Sequence, residues 1–572
     1  MTRASLPLCL ALLAGVLLPS QTRAAEPADV VLRNGKIYTV DPARSIRQAL
    51  AFSGNTIVAV GTDAEVAPLV GPETMVVDLA GRLVLPGLIE AHVHPVLGAI
   101  NAAKCSLAGV PATIEALRPV LRACLEARPG GPDDWLEAVQ LDNYGFSATA
   151  ADLDTIEAVR PIALYGNDGH TVWTNGRGLE VAEITASTPD PEGGRIDRDA
   201  GGAPTGLLAD TATNLVYERI PMPPLDLRAD YTAAELRSMA ASGITSLADV
   251  YVSPPEAEVW RLLHATGRLS MRVRASIYVE DLGDDSDAAV ARILAASEAM
   301  DVDPNFLRSG SVKFFADGVM EAPTQTAALL EPYLDAAGQP TGELGELYFE
   351  PEPFARLVTK LDAAGLNIHV HAIGDRAVRA TLDAFAAARA ANGATDNRHQ
   401  IAHLQLVDPA DFPRFAELGV MANMQLDWAK RDSSNEGPVE PFLGPARYRY
   451  LYPAGSLLAA GATIAGGSDW DVSTYHPFVA MQHGVTRVER GMGRPPLNLA
   501  ERIPIATAID AYTINAAVAL KQEATTGSLE IGKRADLIIL DRDILTVDPE
   551  TIQDTTVLAT WLDGRLVHGT PP

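Results

Sequence analysis

In Leu83-Val84-Leu85-Pro86-Gly87-Leu88-Ile89-Glu90-Ala91-His92-Val93-His94-Pro95, an apolar run of strand-forming residues leads into two histidines that are one residue apart. Side chains alternate between the two faces of a strand, so His92 and His94 share one face. At the end of a barrel strand that face points inward, and both imidazoles can reach one metal ion. Neutral imidazole is a common zinc ligand. Packed or solvated histidines would give the same pattern. Whether these two bind a metal therefore depends on where the other candidate ligands fall.

The charge of the chain limits its partners. Its 572 residues carry a formal net charge of −28. This acidic balance argues against a nucleic-acid or anionic-membrane partner, because both repel a negative surface. We expect a small-molecule partner and no nucleic acid; whether the chain forms a homo-oligomer stays open.

The first 25 residues have the pattern of a secretory signal peptide. Arg3 precedes an apolar run over residues 6–18, and small residues, Ala24 and Ala25, end the segment. A positive start, a short apolar run and small residues at the cleavage point are typical of such signals. The run is too short for a permanent bilayer span. We expect a periplasmic or secreted protein with no stable membrane span once residues 1–25 are removed.

Two cysteines, Cys105 and Cys124, remain in the mature chain. An oxidising compartment permits a disulfide between them. Nothing else in the sequence indicates a disulfide framework, so we favour two buried thiols.

Short strands are predicted at both ends of the chain, in residues 26–82 and 525–572. Residues 29–40 are predicted to form a hairpin with Asn34-Gly35 as its turn. Residues 49–60 are predicted to pair around Ser53-Gly54-Asn55, and residues 557–567 around Asp563-Gly564. These strands predict a small composite β-sandwich domain formed from both termini.

Between these ends, in residues 83–524, predicted strands and helices alternate, which indicates βα units and a parallel sheet. The count of strands favours an α/β fold of the (β/α)8 TIM-barrel type, whose active sites lie at the carboxyl ends of the strands. Residues 101–230 exceed what two βα units need, and we interpret them as an insertion over the barrel mouth. The candidate strands cover residues 161–165, 244–249, 271–278, 311–315, 366–371, 398–403, 420–424 and 463–467.

Lys313 lies inside one of these apolar strands, in Ser311-Val312-Lys313-Phe314-Phe315. Burying a charged lysine is costly. A lowered pKa is one way to avoid the cost. Carbamylation by CO2 is another, and it gives an anionic group that can bridge two cations. A salt-bridged or solvent-reaching lysine is the structural alternative.

Further candidates fall at other strand ends. His371 is preferred over His369 as a ligand because it lies closer to the end of its strand; His369 is then deeper in the barrel or supports a ligand. His403 ends the next strand. Asp469 follows a run of small residues, Ala465-Gly466-Gly467-Ser468, and could bind a metal or accept a proton; as a turn residue it needs neither role. Together, five strand ends offer His-x-His, Lys, His, His and Asp.

With these motifs in place, the chain resembles the amidohydrolase superfamily, and more narrowly the YtcJ-like amidohydrolase family 3, over residues 28–570. The resemblance is carried by residues 86–94, by Val312-Lys313-Phe314-Phe315-Ala316-Asp317-Gly318, by His371-Ala372-Ile373-Gly374-Asp375-Arg376-Ala377 and by Gly467-Ser468-Asp469-Trp470. It implies a centre with two divalent metal ions, usually zinc, in which Lys313 is carboxylated and bridges them. The implied ligands are His92, His94, Lys313, His371, His403 and Asp469.

The resemblance also implies a function, the hydrolysis of a C–N bond, with N-substituted formamide deformylation as one activity of the branch. Asp469 would transfer the proton. His170 lies in a stretch that resembles a family pocket element and is a candidate for stabilising the oxyanion; a loop histidine that is hydrogen-bonded to the backbone is the alternative. Three alternatives stay open. They are hydrolysis of a cyclic amide or another carbonyl derivative at the same centre, a non-catalytic regulatory protein, and a one-metal site made by His92, His94, His371 and Asp469 with unmodified Lys313.

Overall fold

Eight parallel strands form a barrel at the centre of the protein, whose computed structural model describes residues 26–191, 193–322 and 324–572. The predicted signal peptide, residues 1–25, lies outside the described residues. The strands follow one another around the barrel in chain order, and contacts between the last and the first close it. The barrel strands are β1 (Leu88–Val93), β2 (Ile244–Val252), β3 (Arg272–Tyr278), β4 (Leu307–Phe315), β5 (Asn367–Ala372), β6 (Gln400–His403), β7 (Met421–Met424) and β8 (Thr463–Gly466).

Helices surround the barrel and bury one apolar face each. Phe354, Leu357 and Leu361, for example, lie on one face of their helix and are fully buried. Among the described residues, no helix is long and apolar enough to cross a membrane. The main helices are Pro95–Ala102, Leu225–Ala241, Pro254–Ala265, Asp287–Glu298, Pro351–Ala363, Asp375–Asn392, Phe412–Leu418, Ala454–Ala459, Pro477–Thr486, Ile505–Ala511 and Ile514–Ala519.

Two further sheets pack face to face beside the barrel and combine strands from both ends of the chain. Phe52 and Trp561, one from each sheet, meet edge to face at 6.5 Å in their shared core. The predicted fold class, a barrel with a composite β-sandwich, is therefore confirmed. One sheet contains Val30–Arg33, Ala49–Ser53, Thr56–Gly61 and Met75–Asp78; the other contains Lys36–Tyr38, Ile46–Arg47, Leu83–Pro86, Leu537–Leu540, Val557–Leu562 and Arg565–Gly569.

The predicted turns had different outcomes. Residues 49–60 and 557–567 form antiparallel hairpins, as expected. The predicted hairpin at Asn34-Gly35 is wrong, because the strands on either side of it belong to different sheets: Val30–Arg33 pairs with Ala49–Ser53, and Lys36–Tyr38 pairs with Ile46–Arg47. Asn34 has the positive φ of a tight turn, 53°, but here the turn carries the chain across the sandwich.

Gly87 divides the stretch of residues 83–95 into two strands. Leu83–Pro86 pairs with Leu537–Leu540 in the sandwich, whereas β1 begins at Leu88. A Cβ atom on Gly87 would lie 2.4 Å from the Thr245 hydroxyl, so only glycine fits there. The first barrel strand is therefore a direct continuation of the sandwich.

Much of residues 101–230 forms a separate six-stranded sheet, with strands Cys105–Ser106, Leu136–Leu141, Ile162–Gly166, Thr171–Thr174, Gly194–Arg198 and Pro204–Asp210. The prediction of a barrel strand at residues 161–165 is wrong, because Ile162–Gly166 pairs with Leu136–Leu141 and Thr171–Thr174 inside this sheet. Its apolar sequence indicates a buried strand without specifying which sheet buries it.

Cys105 and Cys124 form a disulfide, so the preference for two free thiols is wrong. Cys105 lies in the edge strand of the inserted sheet, and Cys124 lies in the helix Ile114–Ala127 that packs against it. Their Cα atoms are 6.0 Å apart, a normal distance for a disulfide. The bond staples the helix to the sheet, a contact that the spacing of two cysteines does not reveal.

Candidate metal centre

The predicted ligands converge at the carboxyl ends of the barrel strands. All are buried in the barrel except His94, which is partly exposed and caps the helix that follows β1. His92 lies in β1, Lys313 in β4, His371 in β5, His403 at the end of β6, and Asp469 three residues after β8.

Asp469 lies between the two histidines of β1. Its Oδ1 atom is 3.2 Å from His92 Nε2 and 2.9 Å from His94 Nε2. Burial would raise the pKa of Asp469, but the charge and hydrogen bond of His92 and the hydrogen bond of His94 hold it well below its usual value. The carboxylate is therefore ionised and aimed at the space where the imidazoles meet.

Gly467 brings the segment after β8 against β1. A Cβ atom on Gly467 would lie 2.5 Å from the Cβ atom of His92. The Asp469 amide then donates to the His92 carbonyl at 2.9 Å, and the His94 amide donates to the Trp470 carbonyl at 2.9 Å. The small residues that preceded Asp469 in the sequence are thus the reason that its backbone reaches β1.

Lys313 is fully buried next to these groups. Its Nζ atom is 3.4 Å from His92 Nε2 and lies over the Phe315 ring, 4.8 Å from the centroid. Burial lowers the pKa of Lys313 to about 7, and the charge of Asp469 opposes this shift only in part. The amine is therefore partly neutral near pH 7.

His403 completes the closest group of potential ligand atoms. Ligand atoms of His92, His403 and Asp469 all lie within 4.8 Å of one another. The Trp428 ring stacks on His403 at 5.4 Å with an interplanar angle of 8°. Nδ1 of His403 and Nδ1 of His94 are buried with no hydrogen-bond partner among the described residues. Buried imidazole nitrogens and a carboxylate form a donor set that suits a divalent ion such as zinc.

His371 lies beside this group. Its ring is 4.4 Å from that of His403, and its Nε2 atom is 3.0 Å from the Gly318 carbonyl. Burial and the charge of Lys313 hold its pKa well below the usual value, so the ring is neutral. A neutral ring with Nε2 donating to a carbonyl keeps Nδ1 as its acceptor. The assignment of His371 as a ligand stays a prediction.

His369 lies deeper in the barrel than His371 and contacts His92 directly. Its Nε2 atom is 2.9 Å from His92 Nδ1, the nitrogen on the far side of the His92 ring from Asp469. Hydrogen bonds to the outer nitrogen of a ligating histidine fix its tautomer and orientation. His369 was expected either to lie deeper in the barrel or to support a ligand, and this contact favours support of His92.

His170 comes from the inserted segment and reaches the same cavity. Its ring is 5.8 Å from that of His371, and its Nδ1 atom is 2.7 Å from Asp210 Oδ1. Burial opposes a charge on His170, but the hydrogen bond and charge of Asp210 outweigh burial and raise its pKa. The insertion therefore contributes a hydrogen-bond donor above the barrel mouth.

Two buried carboxyl groups near the site were missed by sequence reasoning. Asp317 accepts hydrogen bonds from the backbone amides of Ile373, Gly374 and Ala328 at 2.9–3.0 Å, and so holds together the loops after β4 and β5. Glu90 precedes His92 by two residues and accepts from Ser468; burial raises its pKa to about 8. No local pattern marks Glu90, because the pairing of β1 with β2 shifts register between Glu90 and Val93 and simple alternation does not extend across the shift.

An aromatic wall borders the site on the side of β2, β3 and β4. Tyr251 and Tyr278 stack with ring centroids 4.4 Å apart, and Phe315 lies 5.9 Å from Tyr278. Phe315 in turn contacts His371 at 4.9 Å, and Tyr251 lies 6.2 Å from His94. All three wall residues are only partly buried, so they present an apolar surface next to the candidate ligands.

Comparison with known proteins identifies the family of this site. The model of the amidohydrolase family matches residues 75–568, which include every barrel strand and every candidate ligand. The chain belongs to the amidohydrolase family. This membership confirms the resemblance and the predicted enzyme class, a hydrolase that acts on carbon–nitrogen bonds other than peptide bonds.

Several relatives align with this amidohydrolase over nearly its full length. It is 30% identical to the protein LONG AFTER FAR-RED 3 of Arabidopsis thaliana, over 95% of this chain and 92% of that one. It is 28% identical to the N-substituted formamide deformylase of Arthrobacter pascens, over 94% and 98%. A solved structure of an uncharacterized metal-dependent hydrolase from Pyrococcus horikoshii shares its fold, with a TM-score of 0.70 and 24% identity over 91% of this chain and 99% of that one.

Proposed function

We propose that this amidohydrolase is an exported, metal-dependent enzyme that hydrolyses the C–N bond of an amide, with N-substituted formamides as the first substrate class to test. One observation carries the proposal: ligand atoms of His92, His403 and Asp469, three buried residues at or just beyond the carboxyl ends of barrel strands, lie within 4.8 Å of one another. The formamide deformylase that aligns with 94% of the chain supports the substrate class. The fold alone does not indicate a substrate class, because one fold serves many functions.

Two divalent cations, with zinc as the expected metal, are proposed as the cofactors. Bound ions of this kind lower the pKa of water and polarise a carbonyl oxygen. The residues that would hold them are His92, His94, Lys313, His371, His403 and Asp469.

Lys313 can join this set only if its charge changes. At 4 Å and an effective dielectric constant of ~20, an ammonium is repelled by each unit of positive charge by roughly 4 kcal/mol. The partly neutral amine can instead attack CO2: a new N–C bond forms, a proton leaves the nitrogen, and a carbamate results. The carbamate is anionic and has two oxygens, one for each cation.

Asp469 and His170 are proposed to manage protons and charge. Asp469 would accept the proton of the attacking water and pass it to the leaving nitrogen, a role that its ionised state permits. The His170–Asp210 contact raises the pKa of His170 and so favours the protonated ring, in which Nδ1 donates to Asp210 and Nε2 would donate to the oxygen that becomes negative. The distance of 5.8 Å between the rings of His170 and His371 supports this role.

The aromatic residues beside the site indicate which substrates should be tested. The aromatic wall of Tyr251, Tyr278 and Phe315 offers an apolar surface for the substituent on the amide nitrogen. Formate and amine release should be measured with N-alkyl and N-aryl formamides, with larger acyl amides and with cyclic amides. Turnover of cyclic amides alone would favour the first alternative, and no turnover by fully metal-loaded protein would favour the regulatory one.

The decisive variant is Lys313→Ala. We expect folded protein with less metal and little activity, and partial rescue when formate, acetate or propionate is added with metal, because a small carboxylate can occupy the vacated space. The matched control is Lys360→Ala, which removes an exposed lysine that pairs with Asp287. Metals per chain and the mass of residue 313 should be determined together. An unmodified Lys313 beside a single fully occupied metal would contradict the two-metal centre and leave a one-metal hydrolase.

Export is proposed from residues 1–25, and the Cys105–Cys124 disulfide supports it because such bonds persist in oxidising compartments. Protein recovered from the periplasm or the medium should lack the first 24 or 25 residues. N-terminal sequencing that finds Met1 on exported protein would overturn this part of the proposal.

A further inference from the structure

Glu90 is a buried carboxyl group that the proposed chemistry does not use. It lies in β1, two residues before His92, and is 0% exposed. Its Oε2 atom accepts hydrogen bonds from the Ser468 amide at 2.8 Å and from the Ser468 hydroxyl at 2.7 Å. Ser468 is the residue immediately before Asp469.

We propose that Glu90 is a positioning residue that acts through Ser468 to hold Asp469 in its working orientation. The inference rests on the proposed function, because it concerns the residue that is expected to move the proton. Glu90 itself is not expected to contact substrate or metal.

The backbone of Asp469 needs such support. Its φ is 57°, in the left-handed region that residues other than glycine seldom adopt. Residues in sparsely populated conformations persist only where the surrounding structure holds them. On one side, the Asp469 amide donates to the His92 carbonyl at 2.9 Å. On the other side, the amide and the hydroxyl of Ser468 donate to the Glu90 carboxylate of β1.

The geometry ties three groups of the site to one strand. Glu90 and His92 lie in β1 and His94 follows its end, and a register shift between Glu90 and Val93 separates Glu90 from the face of the two histidines. Glu90 fixes Ser468, the His92 carbonyl fixes the Asp469 amide, and the Asp469 carboxylate then meets His92 and His94 at 3.2 and 2.9 Å. A substitution at Glu90 should therefore first change the orientation of the Asp469 carboxylate.

The chain provides a matched control far from the site. Glu501, which is 5% exposed, accepts from the amide and the hydroxyl of Ser456 at 2.7 Å each, the same serine–glutamate arrangement. Ser456 lies in the helix Ala454–Ala459, outside the barrel. Loss of Glu501 should therefore cost stability but leave the site unchanged.

The experiment compares Glu90→Ala, Glu90→Gln and Glu501→Ala in the metal-loaded enzyme. Residues that orient a metal site typically contribute ~10–100-fold in metal affinity or activity. We expect Glu90→Ala to lower kcat by about 10–100-fold with KM little changed. Glu90→Gln should stay close to the native kcat, because its amide oxygen can accept both Ser468 hydrogen bonds. Glu501→Ala should lower Tm and leave kcat unchanged.

A second readout does not depend on the reaction. Hydrogen exchange at the amides of Ser468 and Asp469 should become faster in Glu90→Ala, but not in Glu90→Gln or Glu501→Ala. If the protein hydrolyses no amide but this exchange pattern appears, the proposed function fails and the positioning role stands. If Glu90→Ala does not fold, Ser468→Ala, which keeps the amide hydrogen bond, should give a smaller kcat loss in the same direction.

Three results would overturn the inference. One is native kcat together with native exchange in Glu90→Ala. Another is a loss of kcat in Glu501→Ala as large as in Glu90→Ala, which would make both contacts merely structural. The third is a Glu90→Gln variant as impaired as Glu90→Ala, which would show that the acidic group itself matters and not the position it sets.

Discussion

β1 and β5 each carry two histidines one residue apart, and the two pairs have different surroundings. On β1, Nε2 of both His92 and His94 lies within 3.2 Å of the Asp469 carboxylate. On β5, His369 contacts His92 Nδ1, and His371 contacts the Gly318 carbonyl. Neither histidine of β5 is within hydrogen-bond distance of Asp469 among the contacts of the described residues. Equal spacing therefore gives a shared face but not a shared function.

The difference comes from depth in the barrel. In the register of β4 and β5, His369 is level with Lys313, whereas His371 is level with Phe315, nearer to the mouth. β1 ends at Val93, so His94 already belongs to the turn and can bend back toward Asp469. Alternation along a strand is a local property, but the level of each residue depends on the stagger between strands.

The largest expected effect comes from removing the carboxylate that joins the β1 pair. Asp469→Asn keeps the size of the side chain but removes the proton acceptor and weakens the contacts to His92 and His94. We expect kcat to fall by several orders of magnitude, of which general-base catalysis typically accounts for ~10²–10⁴-fold, with Tm close to native. Steady-state kinetics on a formamide substrate and a thermal melt check this. Near-native turnover in pure Asp469→Asn protein would rule out the role.

Next in size is His371→Asn, which tests whether the β5 pair contributes a ligand at all. Loss of a ligand should reduce metal affinity by more than the ~10–100-fold that is typical for a side chain that only orients one. Titration of the metal-free protein with zinc, followed by metal analysis, measures it. An affinity within tenfold of the native value would remove His371 from the ligand set.

A smaller loss of metal affinity is expected for His369→Gln, which changes the other histidine of β5. His369 contacts His92 Nδ1, so we expect it to orient a ligand and not to bind metal, and metal affinity should fall by about 10–100-fold and no more. The matched control is His399→Gln: His399 precedes β6, bonds to Asp362 at 3.0 Å and accepts from the Ile368 amide at 3.2 Å, with no contact to a candidate ligand side chain among the described hydrogen bonds, so metal affinity should not change. If His369→Gln is as damaging as His371→Asn, the ligand on β5 has been misassigned.

The smallest effect should come from the insertion, which contributes His170 but no ligand. The variant with both Cys105 and Cys124 changed to serine loses the disulfide that links helix Ile114–Ala127 to the inserted sheet. We expect a lower Tm and an unchanged zinc content, because every candidate ligand lies in or beside the barrel. Loss of metal in this double variant would show that the insertion supports the β1 or β5 histidines.

The parts of the fold that local patterns determine could be predicted. Seven of the candidate strands form the barrel, with bounds that differ by a few residues, because buried parallel strands have a strong apolar signal. The same signal placed Ile162–Gly166 in the barrel, and a strong turn signal at Asn34 predicted a hairpin; both predictions are wrong. In each case the strand exists, but it pairs with other strands than those predicted.

The candidate site shows the same limit. His92, His94, Lys313, His403 and Asp469 are brought together as the strand ends implied. Glu90 and Asp317 could not be recognised, because their function depends on backbone amides from other loops. The sequence does not show from which backbone amide a carboxyl group will accept a hydrogen bond.

The pairing of Leu83–Pro86 with Leu537–Leu540 has a consequence for how the polypeptide is assembled. Contacts between residues so far apart in sequence are slow to form, because a long loop must close first. The strand that continues into β1 can pair on one side with Lys36–Tyr38 as soon as it is made, but its partner on the other side exists only after residue 540 has been synthesised. An almost complete chain therefore still lacks one half of this sheet, and the final thirty or so residues complete it with Val557–Leu562 and Arg565–Gly569. Large proteins that fold through such incomplete states expose apolar surface in the interim.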